Sequence, residues 1–384
     1  MTTRTNTLPT IAIAGATGAV GREMLEILEQ RNFKHAWIKA LASPRSAGQK
    51  LPYRGVEGGQ LTIEALTLDS LKGVDIALFS AGSSISKEFA PAAAKRGTII
   101  IDNSSAFRMS EGVPLTIPEV NPDSIAHLRT RHSAFDTPHS GSIIANPNCS
   151  TIILLMALTP LRNAFGVERA IVSTYQAASG AGAKGMDELE DQTRAHLAGK
   201  EVRPGTETGG VFHEPYAFNL FSHNTAIDPI TGLNVEESKV IHETRKIWND
   251  PTVALSATCI RVPVRRAHAE SVNVTLKTPA TTQQVRDAIA RFPGVQIIDD
   301  RAANLFPTPL KASGKDAVLV GRIRPDLSCH YLAALGKVVP GAPQTLDYNA
   351  PCYSFDLFIC GDQLRKGAAL NAVQIAEALI ANAF

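Results

Sequence analysis

The stretch Ile11-Ala12-Ile13-Ala14-Gly15-Ala16-Thr17-Gly18-Ala19-Val20-Gly21 decides how the rest of the chain is read. Four apolar residues form a short strand and glycine then recurs at every third position. A helical pattern follows, with Val20, Met24, Leu25, Ile27 and Leu28 on one side. Glycines in such a turn allow a tight bend and let backbone N–H groups approach an anion at the helix start. The triplet Gly15, Gly18 and Gly21 also fits a plain strand-to-helix turn. Its position between strand and helix near the N-terminus favours a dinucleotide pyrophosphate.

Outward from this turn the pattern repeats. Strands are expected over Trp37–Ala42, Val74–Phe79 and Thr98–Ile101, with helical segments between them. Alternation of this kind indicates a doubly wound parallel sheet of the Rossmann type. From about residue 168 the texture changes to longer strands, expected at Arg169–Tyr175, Ala254–Val264 and Ser271–Lys277. A mixed α+β second domain follows from them, with antiparallel pairing. The alanine-dense end, Arg365–Phe384, reads as a helix that returns to the first domain, and Cys329–Asp356 reads as a long loop or insertion.

NAD-specific sites place an acidic residue at the end of the second strand to bond the ribose 2′-hydroxyl. This strand ends instead in Ala42-Ser43-Pro44-Arg45-Ser46. An arginine and two hydroxyls suit a 2′-phosphate, so NADP is the expected cofactor, although a solvated loop arginine reads the same way.

The chain has 384 residues and a formal net charge of +2, which gives no reason to expect nucleic acid or acidic membranes as partners. Its five cysteines contain no CxxC pair, and there is no HExxH or other metal signature. The polar start, Met1–Pro9, lacks a signal-peptide core, and no apolar run has the roughly 20 residues needed to cross a bilayer. A cytoplasmic protein with free thiols is expected.

One of those thiols is conspicuous. In Ile143-Ile144-Ala145-Asn146-Pro147-Asn148-Cys149-Ser150-Thr151 a strand ends, a turn intervenes, and a helix opens at Ser150 or Thr151. Backbone N–H groups and the helix dipole there favour a thiolate, the nucleophilic form, though a buried core cysteine is the plainer reading. A cysteine nucleophile beside a nicotinamide suggests acyl chemistry, in which hydride transfer interconverts a thiohemiacetal and a thioester.

Partners for that chemistry are scattered. Asn103–Arg108 lies beyond the fourth strand, and Gln176 and Ser179–Gly182 follow a strand of the second domain. Arg261 and His268 are seven residues apart, so they cannot share a face of one regular strand; a bend is needed near Pro263 or Arg265-Arg266. Arg265 and Arg266 are as good a pair of anion binders as Arg261. Glu236, Lys239, Glu243 and Lys246 form a narrow helical stripe, ordinarily a solvated face of weak ion pairs.

The segments GATGAVG (15–21), ASPRSAG (42–48), DNSSAFR (102–108), NPNCST (146–151), QAASGAG (176–182), EESK (236–239), CIRVPVRRAH (259–268) and GDQLRKGAALNAVQI (361–375) together resemble the aspartate-semialdehyde dehydrogenases over nearly the whole chain. The resemblance implies reduction of L-aspartyl-4-phosphate by NADPH, in the pathway to lysine, threonine and methionine. It implies Cys149 as acyl-thioester nucleophile, His268 as acid/base and Gln176 as the residue orienting the intermediate. Arg261 would bind the substrate carboxylate, Glu236 its ammonium, and Arg108 and Lys239 the phosphate with help from Asn148. Cofactor contacts would come from Gly15, Thr17, Gly18, Ala19, Val20, Arg45, Ser46, Ser179, Gly180 and Gln363.

The fold implied is of the glyceraldehyde-3-phosphate dehydrogenase type. Residues 1–148 form the NADP-binding domain, completed by a helix over 362–384, and 149–361 form a catalytic and dimerisation domain. A homodimer is expected, with a tetramer left open. The segment 329–356 is longer than the family pattern, and Tyr216–His223 carries serine where proline is expected. An N-acetyl-glutamyl-phosphate reductase is the nearest alternative, but its acylated substrate nitrogen needs no Glu236. A non-catalytic nucleotide-binding paralogue is a second alternative, opposed by the joint presence of Cys149, Arg261 and His268.

Overall fold

The computed structural model describes residues 8–129, 141–328 and 349–380. The chain divides into two compact units, one made of the residues up to Cys149, Lys246–Trp248 and those from Leu364 on, the other of Ser150–Arg245 and Asn249–Gln363.

The first unit is built on seven strands: β1 (Thr10–Ala14), β2 (Trp37–Ala42), β3 (Lys50–Pro52), β4 (Gln60–Ala65), β5 (Ile76–Phe79), β6 (Ile99–Asp102) and β7 (Ile143–Ala145). Their order is β3-β4-β2-β1-β5-β6-β7, with β3 antiparallel to β4 and the other pairs parallel. β1, β5 and β6 are buried on both faces, which explains why they read as continuous apolar runs. β1 lies between β2 and β5, so the strand order reverses there; in such sheets this is where a crevice opens for a ligand.

Met24, Ile27 and Leu28 of the Ala19–Gln30 helix share one core with Leu370, Val373, Ile375 and Leu379 of the C-terminal helix. The tail is not helical in one register from Arg365. Arg365–Ala369 forms a wide turn in which the N–H of Ala369 reaches the carbonyl of Leu364, and the α-helix spans Leu370–Ile380. The widening accommodates two buried cations. Arg365 bonds Glu23 at 2.9 Å, and Lys366 bonds Glu119, Asn371 and Gln374.

The second unit carries β8 (Val167–Gln176), β9 (Phe221–Ser222), β10 (Ala254–Arg261), β11 (His268–Ala280), β12 (Val295–Ile297), β13 (Val318–Pro325) and β14 (Cys352–Gly361) in the order β12-β13-β14-β11-β8-β10-β9. β8 pairs parallel with β10 and antiparallel with β11, giving the mixed sheet. Residues 150–161 of the Cys149–Phe165 helix are buried throughout, and its Ile153 packs where a side chain at Gly361 would stand. On the opposite face of the sheet Ile171 and Tyr175 are exposed.

Two strand readings are corrected, and β3, β4, β9, β12 and β13 were not anticipated. β10 stops at Arg261 rather than Val264, because Pro263 has no N–H to give a ladder and the chain turns across the end of β8. Residues 352–356, read as loop, belong to β14, while 329–348 lie outside the described residues. β13, a run of Val, Leu and Ile broken by Gly321, escaped the reading altogether.

Candidate active site

The glycine turn sits at the end of β1. Gly15 has φ +88°, and a Cβ there would collide with the Ser80 carbonyl at the end of β5. A Cβ at Gly21 would strike the Gly15 carbonyl, so the close approach of helix to strand requires its absence. The following helix has no side-chain cap and no acidic residue in its first turn, leaving its N–H groups to an external anion. Gly15, Thr17, Gly18, Ala42, Ser43 and Ser80 line a cavity of about 510 Å³. Arg45, exposed, and Ser46 occupy the short helical turn Pro44–Ser46 directly after β2.

Cys149 is itself the first residue of the 17-residue helix that runs to Phe165, one position earlier than read, and the residue is partly exposed and in no disulfide. The turn before it is held from several directions. Arg108, buried, donates Nε to the Asn146 carbonyl at 2.9 Å and Nη2 to the Asn103 carbonyl at 2.8 Å. Asn146 Nδ2 reaches Asn103 Oδ1 at 2.7 Å, and Asn371 reaches Asn146 Oδ1 at 2.7 Å. Asn148 is also buried.

The second unit gathers another group at one end of β8. Gln176 ends β8 and stands in register with Arg261 at the end of β10, while His268 opens β11, whose next residue pairs with Tyr175. β8 lies between β10 and β11, so the bend required by the seven-residue spacing is a crossing over its end. There Ala178 N–H bonds the Val264 carbonyl and Ser179 N–H the Arg265 carbonyl.

His268 is fully buried, and its Nδ1 accepts the Ala177 N–H at 3.0 Å. That bond assigns the neutral tautomer with hydrogen on Nε2, an atom without a hydrogen-bond partner among the described residues. Burial first, then the neighbouring Arg261 cation, holds its pKa well below the usual imidazole range.

Arg261 donates to the Ala177 carbonyl at 2.9 Å and to Asn224 Oδ1 at 3.2 Å, and its guanidinium lies 5.7 Å from the Phe212 ring centre. Gly180 lies against this pair: a Cβ there would stand 2.8 Å from Arg261 Nη1 and 3.0 Å from His268 Cε1. Arg265 and Arg266, equal candidates by type, are engaged by Glu190 at 2.6 Å and Asp362 at 2.7 Å.

The stripe at Glu236 is not a solvated face. Glu236 is 4% exposed, accepts Lys239 Nζ at 3.1 Å and faces Gln176 Nε2 at 3.5 Å; Glu243 is 1% exposed. A capping box fixes this helix: Asn234 Oδ1 accepts the Glu237 N–H, and Glu237 accepts the N–H of Asn234 and that of Cys259 on β10. Gln363 and Ser179 are both buried and hydrogen-bonded to each other, with Gln363 Oε1 taking the Ala267 N–H at 2.9 Å.

Two residues of this group were missed as site residues. His223 is buried near Arg261, Glu236 and Lys239, and desolvation followed by the Arg261 charge lowers its pKa to about 3. Asn224 orients Arg261. The available signal was the polar Ser222-His223-Asn224 directly after the aromatic run Tyr216–Phe221. Among the described residues no cluster of His, Cys, Asp and Glu could hold a metal, and no helix is long and apolar enough to cross a membrane.

Residues 10–128 match the family described as "Semialdehyde dehydrogenase, NAD binding domain", and residues 158–335 match "Semialdehyde dehydrogenase, dimerisation domain". The aspartate-semialdehyde dehydrogenase of Synechocystis sp. is 46% identical over 372 residues, 96% of this chain and 97% of that protein. That of Bacillus subtilis is 42% identical over 372 residues, 96% of each chain. The solved structure of aspartate semialdehyde dehydrogenase II complexed with ASA from Vibrio cholerae superposes with a TM-score of 0.83 at 39% identity, covering 98% of this chain and 99% of that one. With both family domains present and this identity sustained over nearly its full length, the chain belongs to the aspartate-semialdehyde dehydrogenase family.

Proposed function

We propose that the protein reduces L-aspartyl-4-phosphate to L-aspartate-4-semialdehyde and phosphate at the expense of NADPH, through an acyl-thioester on Cys149. The observation that carries this reading is the buried group Gln176, Glu236, Arg261 and His268 at one end of β8, with the partly exposed Lys239 bonded to Glu236. A zwitterionic phosphorylated substrate needs a cation for its carboxylate, an anion for its ammonium and further cations for its phosphate. Arg261 supplies the first, Glu236 the second, and Lys239 with Arg108 the third, with help from Asn148.

In the proposed sequence the Cys149 thiolate attacks the acyl carbon and the carbon–oxygen bond to phosphate breaks, leaving a thioester. NADPH, when bound, supplies the hydride. The His268 Nε2–H, set by the Ala177 bond, hydrogen-bonds the carbonyl oxygen as it becomes an oxyanion, and the electron pair returning from that oxygen expels the Cys149 sulfur as the C–S bond breaks. The thiolate is thereby regenerated without net proton uptake by the protein. Gln176 orients the acyl group.

NADPH would lie on the glycine turn, whose close packing leaves no room for a Cβ at Gly15 or Gly21, with Thr17, Gly18, Ala19 and Val20 at the pyrophosphate. Arg45 and Ser46 would meet the 2′-phosphate, while Ser179, Gly180 and Gln363 would serve the nicotinamide side. Glu236 favours this substrate over an N-acetylated glutamyl phosphate. The dimerisation domain supports a homodimer, and the pathway assignment and a cytoplasmic location follow from the same reading. The test is phosphate-dependent NADP reduction with L-aspartate semialdehyde; absence of turnover, or turnover independent of phosphate, rejects the proposal.

A further inference from the structure

A second cavity lies wholly within the second unit and contains none of the residues placed at the reaction site. Its volume is about 730 Å³, in the range of small-molecule sites. Arg286, Arg301, Arg322 and Arg324 line it, against a single lining carboxylate, Asp299. These arginines come from the Thr282–Ala290 helix, the segment after β12, and β13, so three separate pieces of chain bring cations to one space.

The local backbone explains the convergence. β13 slips register against β14 between Gly321 and Arg324, and Arg322 adopts φ +54°, a strained value for a side-chain-bearing residue. Asp299 holds this bulge. Its carboxylate accepts the N–H of Arg322 at 3.0 Å and of Ile323 at 3.3 Å, and it also pairs with Arg286. The Asp299 side chain is only 1% exposed, so the one acid present is committed to shaping the wall.

The guanidinium groups are braced but not exhausted. Arg322 lies 5.0 Å from the Phe306 ring centre, Arg301 spends one N–H on the Ile323 carbonyl, and Arg324 bonds the Arg322 carbonyl and Asp356. Each guanidinium carries five N–H donors in a planar fork, so among the described residues most donors of Arg301 and Arg322 remain for an anion. Arg286 and Arg324 are paired with Asp299 and Asp356, while Arg301 and Arg322 bring two further cations to the same cavity, a positive excess that favours a bound polyanion.

We propose that this cavity is a binding site for a small-molecule polyanion, phosphate- or carboxylate-bearing, separate from the reaction site. The test is calorimetric titration of the full chain at physiological salt with sodium tripolyphosphate and, in parallel, with citrate. It compares the wild type with the double variant Arg301→Gln/Arg322→Gln, both positions being exposed and outside the proposed reaction chemistry. At least one probe is expected to bind with submillimolar affinity and to weaken by about tenfold or more in the variant. The probe that binds separates phosphate from carboxylate recognition. The KM for phosphate in the semialdehyde assay should stay unchanged. Three outcomes overturn the proposal: neither probe binds the wild type; binding is equal in both proteins; or the variant, by sedimentation, changes oligomeric state, which would make the cavity an interface with a second copy.

Discussion

Asn371 Nδ2 donates to Asn146 Oδ1 at 2.7 Å, so the C-terminal helix holds the turn that precedes Cys149. The same amide group donates to the Thr116 carbonyl at 2.9 Å, and Asn371 is fully buried. Asn371→Ala leaves two acceptors unpaired and is expected to lower unfolding free energy by about 2–4 kcal/mol, measured in urea. Turnover should fall as well, since Asn146 also holds Arg108 through its carbonyl. An unchanged unfolding midpoint would show that the bond is dispensable.

Cys149→Ser should reduce turnover by roughly three orders of magnitude or more, because a hydroxyl at the same helix start stays protonated and forms no thioester. NADPH affinity, read by fluorescence titration, should be retained. Near-normal turnover would remove Cys149 from the chemistry.

Gly180→Ala brings a methyl group to 2.8 Å from Arg261 Nη1 and 3.0 Å from His268 Cε1. Both side chains must shift, so kcat/KM for the semialdehyde should drop by about 10²-fold. A variant with normal kinetics would mean that this contact does not constrain the site.

Arg45→Ala should weaken NADPH by roughly ten- to a hundredfold, the value of a charge-assisted bond, and leave NADH nearly unaffected. Equal weakening of both cofactors would show that Arg45 does not read the 2′-phosphate.

Buried His223 and His268 make stability depend on pH in a defined direction. Both have folded pKa values below the unfolded value near 6.5, His223 at about 3. Between those limits the unfolded chain binds more protons, so stability rises with pH and is lost as pH falls from about 6.5 toward 3. For His223 the slope is at most about 1.4 kcal/mol per pH unit. His223→Asn should flatten the pH dependence of the melting temperature over this window, and an identical profile would contradict the assignment.

Periodicity and turn chemistry are local, and they sufficed for much of the fold. β1, the glycine turn and the amphipathic face of Ala19–Gln30 are legible because each depends on residues close in sequence, as is the helix opening beside Cys149. β13 was not legible, because a strand whose register is broken at Gly321 loses the alternation that marks one. The extension of β14 into 352–356 depends on pairing with β11 and β13, partners far away in the chain.

The site divides in the same way. Residue type and spacing were enough to nominate Cys149, Arg261, His268 and Gln176. Spacing could not choose Arg261 over Arg265 and Arg266; only the structure shows that Glu190 and Asp362, supplied from distant segments, pair with the latter two. Nor could it show that Glu236 is turned inward, since a helical stripe of charges looks the same buried or solvated until a sheet is packed against it. The tautomer of His268 is further still from the sequence. It depends on a backbone N–H at Ala177, a group that every residue but proline carries and that only the crossing over β8 brings within 3.0 Å.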